Sequence, residues 1–102
     1  MVQGSCLCGD VAWEARGPFE LMAHCHCTRC QKAHGTAFST GFAASAGAFG
    51  FTRGTERIAT SASPLGPTRP FCPRCGASVP GTPTDGRVFL NAGSLDDDPG
   101  VR

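Results

Sequence analysis

The chain has 102 residues, a formal net charge of +1, seven Cys, fourteen Gly, eight Pro, seven Phe and one Trp. That length predicts a single domain over residues 1–102, and near-neutral charge without a basic stripe argues against a nucleic-acid partner. No apolar run approaches the roughly 18 residues of a membrane span. Met1-Val2-Gln3-Gly4-Ser5 leads into the first cysteines without a signal-peptide pattern, so the expected compartment is cytoplasmic and reducing.

In chain order, short strands are expected over residues 2–5 and 11–14, joined by a cysteine turn with Gly9-Asp10 as the turn signal. Arg16-Gly17-Pro18 breaks the run, and residues 21–24 form a strand entering a second cysteine cluster. Thr28 is placed to cap a short helix through about His34, ended by Gly35. Strands follow over 37–43 and 48–52, with 44–47 turning between them, and another over 57–60. Residues 61–70 hold three prolines and read as loop. Phe71 enters the third cysteine cluster, residues 77–79 follow, and 80–86 form a Pro/Gly-rich turn. Residues 87–92 are the strongest strand. Asp96-Asp97-Asp98 and Pro99-Gly100 read as a solvated polar tail, with Asp96 a candidate to cap a turn. Trp13 and the Phe side chains are the expected core. The whole reads as a mainly β domain of short strands with one short helix.

So small a domain is only marginally supported by its core. A structural zinc contributes roughly 10–16 kcal/mol in zinc-finger peptides, enough to decide folding. The cysteines fall in three groups: Cys6-Leu7-Cys8, Cys25-His26-Cys27-Thr28-Arg29-Cys30 and Cys72-Pro73-Arg74-Cys75. In a reducing compartment such groups read as metal ligands, and a disulfide reading would leave one cysteine over. Seven divides into four, which closes a tetrahedral structural zinc site, and three, which leaves an open position as catalytic sites do. Cys72 and Cys75 form a zinc knuckle, with Gly76 free to take positive φ. Cys6 and Cys8, two apart in an extended segment, present both sulfurs to one side. Spacing allows the first cluster to pair with the third or with the second.

Cys25, Cys27 and Cys30 lie close enough in sequence to hold a zinc without distant help. A fourth position could take water, a substrate thiol or a histidine. His24 and His26 alternate with the cysteines and would face away, whereas His34, one helical turn past Cys30, could approach and is the best-placed candidate base. Three thiolates weaken zinc as a Lewis acid, so thiol chemistry fits better than hydrolysis. The formal charge falls below zero once seven thiolates and two zinc ions are counted.

These residues resemble the glutathione-dependent formaldehyde-activating enzyme family, which includes centromere protein V-like proteins. The resemblance rests on Gly4-Ser5-Cys6-Leu7-Cys8-Gly9 with Val11 and Glu14, and on the run from Cys25 to Cys30 with Lys32 and Gly35-Thr36. It continues through Arg69-Pro70-Phe71-Cys72-Pro73-Arg74-Cys75-Gly76 and Ala92-Gly93-Ser94-Leu95-Asp96. It implies a zinc-stabilised, β-tent-like fold, a structural zinc on Cys6, Cys8, Cys72 and Cys75, and a catalytic zinc on Cys25, Cys27 and Cys30. It also implies carbon–sulfur lyase chemistry, the reversible addition of glutathione to formaldehyde that gives S-hydroxymethylglutathione. Arg29, Lys32 and Arg69 are then candidates to hold the carboxylates of glutathione. Gln31 stands where the family commonly has a basic residue, and the C-terminal end is short relative to the family. The alternative is a non-catalytic zinc module for a protein partner. Redox sensing by the clustered thiolates is a third reading.

Overall fold

A computed structural model describes residues 1–63, 66–81, 83 and 85–97. The expected features at Asp98 and Pro99-Gly100, and parts of the segments at Pro64, Leu65, Thr82 and Thr84, lie outside the described residues.

The elements follow in the order β1 (Val2–Ser5), β2 (Ala12–Ala15), β3 (Glu20–Cys25), α1 (Thr28–His34), β4 (Ser39–Ser45), β5 (Phe49–Arg53), β6 (Ala59–Ser63), β7 (Gly66–Phe71) and β8 (Arg87–Asn91). Single 3-10 turns sit at Ala46–Ala48, Thr55–Arg57 and Ala92–Ser94. The described strands pair antiparallel into sheets ordered β1-β2-β5, β3-β4-β8 and β6-β7. The mainly β expectation with one short helix is met.

Helix α1 begins one residue earlier than the Thr28 cap expected from sequence. Cys27 is the N-cap, and its sulfur accepts the Cys30 N–H. Gly35 closes the helix in left-handed geometry, as its position predicts. The loop expected over residues 61–70 is instead largely a hairpin, with Thr60 opposite Pro70 and Ser61 opposite Arg69. A two-stranded ribbon has two open edges, so a proline whose missing N–H faces outward costs no ladder bond.

Period-two alternation decides what is buried. Val88 and Leu90 of β8 face inward opposite Ala44 and Phe42 of β4, and join Val2, Val11 and Trp13 in the core. Phe89, between them, must point the other way and is 60% exposed. Phe38 is also exposed, so the aromatic residues are not all core as expected.

The expected solvated acidic tail is fastened at its described part. The open edge of β1 needs partners for its backbone groups. Asp96 N–H donates to the Gln3 carbonyl at 2.7 Å, and the Gln3 N–H donates to Asp97 Oδ2 at 2.8 Å. The Ser5 hydroxyl donates to the Asp96 carboxylate at 3.0 Å, and Leu95 bridges to Gly4. Asp96 thus clasps a strand and caps no turn.

Candidate metal centres and the cleft beside them

All seven cysteines are free, and their sulfurs gather into two groups. Cys6, Cys8, Cys72 and Cys75 form one; Cys25, Cys27 and Cys30 form the other. Within each group the sulfurs lie within 4.8 Å of one another, and neither group contains a histidine nitrogen or a carboxylate oxygen. The first cluster therefore meets the third, the choice that spacing left open.

Two turns build the four-sulfur group. The Cys6 N–H donates to the Val11 carbonyl and the Gly9 N–H to the Cys6 carbonyl, while the Val11 N–H points at the Cys6 sulfur at 3.3 Å. The knuckle closes likewise, with Gly76 N–H on the Cys72 carbonyl at 2.7 Å and Cys72 N–H on the Ala77 carbonyl. Gly76 takes φ +78°, a conformation that a side chain would strain. Cys6 and Cys72 are 4% and 0% exposed and belong to the core itself. Around the rim, Arg74 pairs with Asp10 at 3.1 Å, Arg57 reaches the same carboxylate at 3.5 Å, and Arg53 donates to the Gly9 carbonyl. No single segment foretells this arginine collar, because its members come from separate parts of the chain.

The three-sulfur group is local. Cys25 ends β3 opposite Ser39, Cys27 caps α1, and Cys30 lies in its first turn. All three are half-buried. His24 and His26 turn elsewhere, as alternation predicts. Each packs on the Phe38 ring, at 4.7 Å and 5.1 Å between centroids, and His24 Nδ1 shares a hydrogen bond with the Thr40 hydroxyl.

The donor sets fit zinc. Two sulfurs each about 2.3 Å from a tetrahedral zinc stand about 3.8 Å apart. Cys6–Cys8 and Cys8–Cys72 are each separated by 3.7 Å, and Cys25–Cys27 by 3.5 Å. These spacings are also far beyond a disulfide bond. Crowding divides the acidities within each group. The Cys30 N–H, then the sulfurs of Cys30 and Cys25 and the Arg29 side chain, pull Cys27 down to about 6. Cys25 is pushed up although the Cys27 N–H favours its thiolate, because its thiol is held as a donor beside the Cys30 and Cys27 sulfurs, with burial adding to the rise. In the other group the Ala77 N–H brings Cys75 down to about 6. Cys8 rises to about 12 against the pull of the Asp10 N–H, through desolvation and its three sulfur neighbours. A cation among such thiols would release the retained protons.

Of the three basic candidates, Arg29 acts on Cys27, Arg69 of β7 is half-buried and adds to burial in lowering the pKa of His34, and Lys32 is exposed on α1. A cleft of about 550 Å³ lies beside the four-sulfur group, with Cys6 in its wall, and reaches the C-terminal end of α1. Ala33 and His34 of α1 form part of its wall, with Cys6, Ser78, Asn91 and Asp96 among the other lining residues. Sequence reading missed Ser78, Asn91 and Asp96, whose only signal is their position beside the cysteine and Gly93-Ser94 segments.

A crystal structure of a Rhodobacter sphaeroides protein shares this fold with a TM-score of 0.68 and 21% identity, over 98% of this chain and 90% of that one. No curated protein matches the chain. The family model for glutathione-dependent formaldehyde-activating enzymes matches residues 1–102, a span that includes both sulfur groups, and the chain belongs to that family.

Proposed function

We propose that this protein is a zinc-dependent carbon–sulfur lyase that joins a small thiol, of which glutathione is the family prototype, to an aldehyde and reverses that addition. The observation that carries the reading is the contrast in donor number. One group offers four sulfurs, enough to close a tetrahedron, whereas the group at Cys25, Cys27 and Cys30 offers three half-buried cysteines and no fourth donor among the described residues. A zinc ion held there would supply a soft cationic position at which a substrate thiol sheds its proton readily. Arg29 beside Cys27 and Arg69 beside the C-terminal end of α1 place guanidinium groups where glutathione carboxylates could pair, with Lys32 as a more exposed cation. Cys6, Cys8, Cys72 and Cys75 act as the structural set. A reducing compartment, the cytoplasm, suits seven free cysteines.

The second reading is a non-catalytic zinc module for a protein partner. It is favoured by apolar side chains held out of the core, Leu7 at 87% exposure and Phe89 on the outer face of β8. Native mass spectrometry with and without glutathione separates the two. The lyase reading expects two zinc ions and a retained glutathione that disappears in Cys27→Ser. Two zinc ions with no glutathione retained and no acceleration of its reaction with formaldehyde would favour the module.

A further inference from the structure

His34 has no role in either cysteine group, yet its surroundings are specific. It ends α1 four residues after Cys30, so Cys30, Ala33 and His34 follow one face of the helix. Ala33 and His34 line the cleft and lie about one helical turn, ~5 Å of axial rise, along α1 from Cys30. The volume, about 550 Å³, suits a small-molecule site. The cleft wall carries hydroxyl and amide groups from Ser5, Ser78, Asn91 and Ser94, and two of these are committed elsewhere. The Ser5 hydroxyl holds the Asp96 carboxylate, and the Ser94 hydroxyl donates to the Asn91 carbonyl at 2.7 Å. The ring nitrogens of His34 make no hydrogen bond to any described residue.

We propose that this cleft receives the substrate and that His34 carries the proton moved during the carbon–sulfur step. The proposal rests on the lyase reading above. As the thiol sulfur forms its bond to the carbonyl carbon, the carbonyl π pair moves to oxygen and the S–H proton passes to the neutral imidazole. The imidazolium then returns that proton to the new alkoxide, giving the hemithioacetal hydroxyl. The reverse reaction runs the same transfers backwards, and nothing is oxidised or reduced. The imidazole is suited to accept first, because burial and then the nearby Arg69 guanidinium lower its pKa and so favour the neutral ring. The other titratable residues lining the cleft with it are Asp96 of the C-terminal segment and Cys6, just past β1.

The test is exchange NMR of glutathione with formaldehyde, using zinc-loaded wild type, His34→Gln, His34→Ala and Cys27→Ser. The expected result for His34→Gln is a rate lowered roughly a hundredfold, an acid limb lost from its pH profile, and unchanged zinc and glutathione retention. Added imidazole restores part of the rate in His34→Ala, an effect a merely structural role would not produce. Ser78→Phe, which fills the cleft, is expected to abolish glutathione retention. If His34→Gln keeps the wild-type rate and profile while Cys27→Ser is inactive, the role of His34 is overturned and the lyase reading stands. If Ser78→Phe retains glutathione at full activity, the cleft is not where the substrate sits. If wild type is no faster than Cys27→Ser, both proposals fall.

Discussion

The two cysteine groups use the same atom for opposite ends. One joins Cys6 and Cys8 to partners such as Cys72, 64 residues beyond Cys8, and sinks two of its sulfurs into the core beside Val11 and Trp13. The other is assembled from a strand end and the first turn of one helix, with every sulfur reachable by solvent. A metal in the first would close a long loop and so oppose the entropy of the unfolded chain. A metal in the second would order six residues that β3 and α1 already position. Burial and sequence separation, rather than ligand chemistry, mark which group supports the fold and which is open to a reactant.

The largest expected effect strikes the first group. Cys72→Ser should leave the protein unfolded or molten, because it opens the staple and places a hydroxyl in a fully buried site; circular dichroism with and without added zinc checks this. Next comes the packing beneath that group. A Cβ at Gly4 would collide with the indole of Trp13, so Gly4→Ala should cost about 1–3 kcal/mol in urea unfolding. Cys27→Ser should remain folded, carry one zinc fewer by mass and lose lyase activity. An unfolding transition as damaged as that of Cys72→Ser would erase the distinction between the groups.

Two smaller effects sharpen it. Asp10→Asn removes the shared partner of Arg57 and Arg74 on the rim of the four-sulfur group, yet these are exposed pairs, so the melting temperature should fall by no more than about 4 °C. On the other side, Arg69→Ala should raise the His34 pKa toward its ordinary value, read by NMR titration of the ring. Because that pKa is depressed in the folded state, the neutral ring's stabilising contribution is complete above the unfolded value and is lost as pH falls through the folded one. The variant should show less of this acid-side loss.

Legibility from sequence followed the range over which each feature is determined. Alternation in β8 and the Gly35 stop of α1 are local, and both were readable. The four-plus-three division was readable as a count, whereas the partner of the first cluster depended on the path of some sixty intervening residues. The β6–β7 hairpin was hidden because proline is a reliable breaker only where both edges of a strand are paired. Phe89 was assigned by its hydrophobicity, but the parity of Val88 and Leu90 had already committed it to the outer face. Asp96 resembled a loose end because its partner, Ser5, lies at the other end of the sequence. The arginine collar and the cleft are properties of assembly and have no signature in any one segment.

The distance between Cys8 and Cys72 also sets an order of events during synthesis. Cys25, Cys27 and Cys30 leave the ribosome almost together and can capture a metal while the chain is still growing. Cys6 and Cys8 emerge earlier still, yet they must wait on the order of seconds for the knuckle to appear at ordinary elongation rates. Through that interval an orphaned pair of thiols is exposed to oxidants and to competing metals. The later-made knuckle therefore protects the earlier pair of thiols.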